Sequence, residues 1–293
     1  MGNDVVLEVR NLVKNYGKSR GVNDISFSVR KGEVFGLIGP NGAGKSTTIK
    51  SILGIVRKTS GDIKVLSKSI DNNEKEIKSY IGYLPSECNF YNNMKVKDLL
   101  SYSKKLYKSN DISIVEYANR LNLDLEKRIE DLSYGNKKKV GIIDAIISGG
   151  ELLILDEATG GLDPLVQEEF FKILEELKAK GKTIVYSAHI LTEVQRLCDR
   201  VGIVKEGKLI KIEDVHSINK INLKKVNLIS KSNELKSFKG VYDYKKDKNN
   251  ISFKFSGEMN ELVKKLSEID IEDINIEDPS LEEIFLKYYE GDE

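Results

Sequence analysis

The sequence predicts an α/β domain built on a largely parallel sheet, followed by a smaller α+β domain. Short continuous apolar runs at 34–38, 152–155 and 183–187 are typical of strands buried on both faces, and helical patterns separate them. Near residue 218 the composition shifts to lysine and asparagine and then to acidic residues. That shift places the boundary between the two domains.

We therefore expect an N-terminal domain over 1–217, with a helical subdomain inserted at about 88–148, and an accessory domain over 218–293. A chain of 293 residues is long enough for two separate hydrophobic cores. Strands are expected at 5–9 and 25–29, where apolar residues cluster or alternate with polar ones.

Composition excludes several classes of protein. The formal net charge is +1, so no nucleic-acid partner is expected. Cys88 and Cys198 have no metal-site spacing and are expected to be reduced thiols. No apolar run approaches the roughly 18 residues of a membrane span, and the N-terminus is unlike a secretory signal. Any membrane role would therefore come through a partner.

A glycine-rich loop separates the apolar run at 34–38 from the start of a helix, and it matches the pattern G-x-x-x-x-G-K-[ST]. Its glycines allow successive backbone N–H groups to curl around an anion, and the helix N-terminus adds further donors. Lys45 is expected to reach the β- and γ-phosphates, and Ser46 to bind Mg²⁺. The expected nucleotide-binding residues are Gly39, Pro40, Asn41, Gly42, Ala43, Gly44, Lys45, Ser46 and Thr47.

Polar side chains follow two of the other apolar runs. Asp156 and Glu157 end the first, and His189 follows the second. Buried strand-end carboxylates are costly unless compensated, so Asp156 is expected to face Mg²⁺ and Glu157 to orient or deprotonate the attacking water. Because ligands gather at the carboxyl ends of parallel strands, His189 is expected to touch the γ-phosphate. Without the glycine-rich loop, Asp156 and Glu157 would be interpreted as solvent-exposed acids and His189 as a structural histidine.

Two other stretches leave alternatives open. Tyr16 lies in a predicted turn, where its ring either stacks on a planar base or is simply exposed. Ser133 is a predicted helix N-cap, and Lys137-Lys138-Lys139 on the first turn is expected to be a solvated face without a function. The segment 96–129 is expected to be helical, with Leu99, Leu100, Tyr102 and Leu106 on one apolar stripe.

Together these motifs resemble the ATP-binding subunit of ABC transporters, and the resemblance runs from about Val5 to His216. It implies a P-loop NTPase domain with an inserted helical subdomain, in which Tyr16 stacks on adenine and Lys45, Glu157 and His189 are catalytic. It also implies that Ser133 and Gly135 grip the γ-phosphate of ATP on the opposite subunit, and that Asp163 is the D-loop residue.

The chain departs from the family pattern at several positions. Tyr134 and Asn136 replace the third and fifth residues of the usual Leu-Ser-Gly-Gly-Gln signature, and Ala158 replaces a common proline. Ser86 and Glu87 stand where the family has its Q-loop glutamine, which bears on coupling between Mg²⁺, water and transporter. At these positions the chain is more similar to the drug- and lantibiotic-efflux branch of the family than to the importers.

The resemblance implies an ATPase that binds ATP and Mg²⁺, dimerises on ATP and powers a separate permease from the cytoplasmic face of the cell membrane, most simply for export of a drug, peptide or lipid. The alternatives are a soluble nucleotide-dependent switch acting on ribosomes or DNA, and an ATP sensor that scarcely hydrolyses. In the accessory domain, strands are expected at 226–229 and 251–255, with a polar stretch at 245–250 between them and helices near 262–269 and 281–288.

Overall fold

The computed structural model describes five segments of the chain, namely 5–17, 19–109, 111–215, 223–232 and 234–277. Contacts divide the chain into two compact units, 1–213 and 214–293. None of the helices formed by the described residues is both long and apolar enough to cross a membrane.

Up to residue 215 the described chain alternates strands with helices, as expected for an α/β domain. The strands are β1 (Val5–Tyr16), β2 (Ser19–Arg30), β3 (Val34–Ile38), β4 (Ser60–Val65), β5 (Lys68–Ser69), β6 (Ile81–Leu84), β7 (Leu152–Asp156), β8 (Thr183–Ala188), β9 (Arg200–Lys205) and β10 (Lys208–Asp214). The helices are α1 (Lys45–Ile52), α2 (Ile70–Lys78), α3 (Val96–Tyr107), α4 (Ile114–Arg120), α5 (Tyr134–Ser148), α6 (Pro164–Ala179) and α7 (Leu191–Leu197).

A six-stranded sheet in the order β10-β9-β3-β8-β7-β6 forms the centre of this unit. Every residue of β3, β7 and β8 is buried, because helices and a second sheet cover both faces. Both β3 and β7 pair with β8 in parallel, with Ile38 opposite Ala188 and Asp156 opposite Ser187. The carboxyl ends of these three strands therefore meet at one edge.

A second sheet, in the order β2-β1-β4-β5, is antiparallel and shares a core with the first. Phe27 of β2 stacks on Phe35 of β3 with 5.1 Å between the ring centroids. The turn between β1 and β2 begins after Tyr16, where Gly17 has a φ of +73°. The strands are longer than predicted, so Tyr16 ends a strand.

The expected helical segment consists of α3, α4 and a 3₁₀ turn (Ile129–Asp131) before α5. Leu99 and Leu100 are buried as predicted. Tyr102 and Leu106 are exposed, so the buried face of α3 contains fewer residues than expected. The expectation of a solvated lysine face on α5 is wrong, because Lys138 and Lys139 are both buried. Lys138 lies four residues before Ile142, on the face of α5 that packs inward.

The second unit is an antiparallel sheet in the order β12-β13-β11-β14, with one helix described. Its elements are β11 (Leu223–Ile229), a 3₁₀ turn (Glu234–Ser237), β12 (Val241–Asp247), β13 (Asn250–Ser256), α8 (Met259–Leu266) and β14 (Asp273–Glu277). Its core contains Phe253, Phe255 and Leu262. The predicted strands are confirmed, but β12 and β14 were not predicted. The expected helix near 281–288 lies outside the described residues.

Candidate active site

The carboxyl ends of β3, β7 and β8 bring the predicted site residues to one edge of the six-stranded sheet. The glycine-rich loop follows β3, Asp156 ends β7, and His189 follows β8. Parallel pairing puts these chain positions side by side although more than 100 residues separate the loop from Asp156. The loop and the strand-end residues therefore share one edge of the sheet, as predicted.

The loop leaves β3 in a conformation that only glycine adopts easily. Gly39 has a φ of +155°, and a Cβ atom there would lie 2.1 Å from the carbonyl oxygen of Val204. Gly44 has a φ of +111° and immediately precedes α1. Any side chain at Gly39 would thus push the loop away from β9, and the N-terminus of α1 would lose its place beside the loop.

Lys45 begins α1 and is 4% exposed. Its Nζ donates to the carbonyl oxygens of Gly39 at 2.7 Å and Pro40 at 3.1 Å. Burial lowers the pKa of Lys45, and the nearby carboxylates of Glu157 and Asp156 oppose that shift. The ammonium group is held within the loop, where a phosphate would complete its hydrogen bonds.

Asp156 is completely buried, and neither of its carboxylate oxygens has a hydrogen-bond partner of ordinary geometry among the described residues. Burial raises the pKa of Asp156, while the hydroxyl groups of Ser46 and Ser187 counteract the rise. An orphaned buried carboxylate beside a serine hydroxyl fits Mg²⁺, which takes one or two protein oxygens and completes its shell with phosphate and water. The side chains present therefore suit the ion that the motif implies.

Glu157 adopts a left-handed backbone conformation, with a φ of +49°. Its N–H donates to the carbonyl oxygen of Ser187 at 3.1 Å, which ties it to β8. Its Oε1 lies 3.8 Å from Nδ1 of His189. A carboxylate and an imidazole at the same edge as Lys45 can orient a water and contact the phosphate that it attacks.

The start of α5 contacts the turn that precedes α6. The Ser133 hydroxyl caps α5 by accepting from the Asn136 N–H at 3.3 Å. A Cβ atom on Gly135 would lie 2.3 Å from the Gly161 carbonyl oxygen, so only glycine permits this approach. Asp163 caps α6 by accepting from the Val166 N–H at 3.0 Å. Ser133 and Asp163 are exposed.

Tyr16 is 43% exposed at the end of β1, and Nζ of Lys14 lies 4.9 Å from the centroid of its ring. A cavity of about 320 Å³ adjoins this turn, with Lys14, Asn15, Asn23 and Glu206 among its lining residues. An exposed ring beside a polar cavity is compatible with stacking on a base.

Sequence reasoning missed two buried charged residues at this edge. Glu193 on α7 accepts hydrogen bonds from Thr159 Oγ1 and from the Tyr186 hydroxyl, both at 2.7 Å. Lys138 on α5 donates to three backbone carbonyls, one of which belongs to Glu157. Helical spacing was the available signal for Lys138, because it shares a face with Tyr134 and Ile142.

A buried lysine in a glycine-rich loop, beside an orphaned strand-end carboxylate, defines the class of P-loop nucleoside triphosphatases. Comparison with known proteins specifies the family. The family model described as ABC transporter matches residues 22–160, and the model of the DrrA1-3-like ATP-binding protein C-terminal domain matches residues 200–289.

The chain is 33% identical to the bacitracin transport ATP-binding protein BcrA of Bacillus licheniformis, over 98% of each chain. It is 38% identical to the lantibiotic transport ATP-binding protein SrtF of Streptococcus pyogenes, over 70% of this chain and 89% of the relative. A solved ATP-binding subunit of an ABC transporter superposes with a TM-score of 0.65 at 31% identity, covering 73% of this chain and 92% of that one.

The chain belongs to the ABC transporter family, as an ATP-binding subunit. It is an ATPase that uses ATP with Mg²⁺, and its partner in transport is a membrane permease.

Proposed function

We propose that this chain hydrolyses ATP at the edge formed by β3, β7 and β8, and that it thereby powers the export of a drug, peptide or lipid. The observation that carries this proposal is the buried Asp156 carboxylate, which lies beside the Ser46 hydroxyl and whose two oxygens have no hydrogen-bond partner of ordinary geometry among the described residues. Such a group is costly in the free protein and becomes favourable when a cation binds. The ATPase domain is assigned to 1–217 and the accessory domain to 218–293.

In this proposal the backbone N–H groups of residues 39–47 and the Lys45 ammonium hold the β- and γ-phosphates. Ser46 and Asp156 hold Mg²⁺, which supplies charge neutralisation at the phosphates when bound. Glu157 orients the attacking water and accepts its proton, and His189 contacts the γ-phosphate. Tyr16 stacks on the adenine ring.

The proposal includes a second copy of the chain. Ser133 and Gly135 lie at the exposed start of α5, where the hydroxyl and the backbone can approach the γ-phosphate of an ATP on the opposite copy. Asp163 lies in the neighbouring turn and contacts the same interface. ATP binding would favour the closed dimer and hydrolysis would release it, which is a population shift driven by differential binding.

The relatives support the proposal of export at a membrane. The names of the relatives describe transport of bacitracin and of a lantibiotic, and one of them aligns over 98% of both chains. We place the chain at the cytoplasmic face of the cell membrane, bound to its permease. In cells, replacing the chain by a Glu157→Gln variant should raise sensitivity to peptide antibiotics of this kind.

The experiment that tests hydrolysis measures MgATP turnover of the wild type beside Glu157→Gln. The wild type should hydrolyse ATP, and the variant should lose about 100-fold or more in kcat because the general base is gone. Its affinity for MgADP, measured by calorimetry, should stay unchanged.

Glu151→Gln is the matched control, since Glu151 is an exposed glutamate that precedes the other end of β7. It should turn over ATP like the wild type. The proposal fails if the wild type binds nucleotide without hydrolysing it, or if Glu157→Gln keeps the wild-type kcat.

A further inference from the structure

Lys138 is 1% exposed, and its Nζ donates to three backbone carbonyl oxygens. These belong to Ser86 at 2.5 Å, Pro85 at 3.1 Å and Glu157 at 3.2 Å. An ammonium group has three protons and no acceptor, so these three bonds satisfy it completely. One side chain on α5 thus links the loop after β6 to the residue after β7.

The contact with Glu157 falls on a backbone that needs support. A non-glycine residue in the left-handed region is strained, and Glu157 has a φ of +49°. Its N–H is held by the Ser187 carbonyl at 3.1 Å, and its own carbonyl is held by Lys138. The two bonds fix the backbone on either side of the Cα atom, and they thereby set the direction in which the carboxylate leaves the chain.

Tyr134 reinforces the other end of this link. Its hydroxyl donates to the Ser86 carbonyl at 3.1 Å, and Nζ of Lys138 lies 5.9 Å from the centroid of its ring. The ring also packs over Gly161, where a Cβ atom would lie 2.4 Å from a ring carbon. Positions 86 and 134 are two of those at which the chain departs from the ABC family pattern.

We propose that Lys138 is a positioning residue for hydrolysis, which holds the Glu157 carboxylate in place through the backbone and joins it to the loop at 85–86. Tyr134 supports this link at the Ser86 carbonyl. Ser86 has too short a side chain to reach the site as a glutamine would, and Lys138 instead makes the connection through backbone carbonyl oxygens. This proposal rests on the catalytic role of Glu157 given above.

The electrostatic surroundings favour this role over a purely structural one. Burial lowers the pKa of Lys138, while Cys88, Asp156, Glu157 and Glu87 oppose the shift. A buried ammonium is costly, and an apolar side chain of similar length would fill the same space without that cost. Packing alone therefore does not require a lysine at position 138. Its positive charge lies near the carboxylates of Asp156 and Glu157, which favours a functional role.

The test measures kcat and KM for MgATP, affinity for MgADP by calorimetry, and Tm for Lys138→Met and Lys138→Gln. Lys138→Met keeps the length of the side chain and removes its donors. It should lower kcat by about 10–100-fold, as loss of a supporting residue does, while KM and MgADP affinity stay within about 2-fold. Lys138→Gln restores two N–H donors and should recover part of kcat.

Two further variants complete the design. Lys137→Met changes the neighbouring lysine, which is half-buried and is not part of the link, and it should match the wild type. Tyr134→Phe removes only the hydroxyl bond to Ser86 and should lower kcat by roughly 2–10-fold, the worth of one hydrogen bond. A lower Tm for Lys138→Met is compatible with the proposal, because three carbonyls lose their donor.

A wild-type kcat in Lys138→Met overturns the proposal, and so does a loss that appears in MgADP affinity and is not recovered by glutamine. If Lys138→Met does not fold, the proposal is tested with Lys138→Gln and Tyr134→Phe. A wild-type kcat in both of these variants overturns the proposal. A wild type without turnover would instead refute the proposed function itself, so the two failures are distinguishable.

Discussion

The phosphate loop and the start of α5 each hold a buried lysine at the same edge of the sheet, and the two lysines differ in what they can still bind. Among the described residues, Lys45 Nζ donates to two carbonyl oxygens and Lys138 Nζ to three. An ammonium group has three protons, so Lys45 keeps one for a phosphate and Lys138 keeps none. Burial lowers the pKa of both lysines. Similar burial therefore accompanies two different proposed functions, ligand binding for Lys45 and positioning for Lys138.

The largest expected effect separates the two lysines directly. Lys45→Met should weaken MgADP binding by about 100-fold, or roughly 3 kcal/mol, because the phosphates lose a buried charged partner. Hydrolysis should fall below detection, and Tm without nucleotide should change little, because removal of a costly buried charge offsets the loss of the donor to two loop carbonyls. Calorimetric titration and scanning calorimetry measure both quantities. A wild-type MgADP affinity in Lys45→Met would contradict the proposed difference in function between Lys45 and Lys138.

A smaller effect concerns the carboxylate that faces Lys45. Burial raises the pKa of Asp156, so the folded protein binds its proton more tightly than the unfolded chain does. The ionised group thus costs stability at neutral pH, and that cost falls as the pH drops through the raised pKa. Without Mg²⁺, Asp156→Asn should be more stable than the wild type by about 1–3 kcal/mol at pH 7–8, and the difference should shrink in acid. With MgATP present, the wild type should instead be more stable than Asp156→Asn, because only the wild type would hold Mg²⁺.

Asp144→Asn provides the comparison for Asp156→Asn. Burial also raises the pKa of Asp144, on α5, and its Oδ1 lacks a partner among the described residues. Its replacement should give a similar dependence of Tm on pH and should leave hydrolysis unchanged. If Asp156→Asn hydrolyses MgATP as well as Asp144→Asn does, Asp156 is not the metal ligand.

The sequence predicted the edge around Lys45 because each part of it follows a recognisable buried strand. Continuous apolar runs identified β3, β7 and β8, and parallel sheets bring such strand ends together. The glycine pattern and the acidic pair then stand next to these runs in the sequence. The structure confirms the fold and the shared edge, and the roles of the individual side chains remain predictions.

The surroundings of Lys138 were missed because three consecutive lysines resemble a solvated surface. Only the helical register shows that the middle one, Lys138, lies on the same face of α5 as the buried Ile142. Its partners are backbone carbonyls in two distant segments, and no local pattern predicts such contacts. The strand β12 was missed for a related reason, since Lys245 and Lys246 suggest a loop although they lie on an edge strand.

The central claim is that this edge forms half of a site that a second copy completes on ATP. Light scattering of Glu157→Gln with MgATP tests it, because the variant binds ATP without consuming it. The account predicts a mass of about twice the 33.0 kDa of one chain with MgATP, and the mass of one chain with MgADP. A mass of one chain under saturating MgATP, with binding verified by calorimetry, would contradict it.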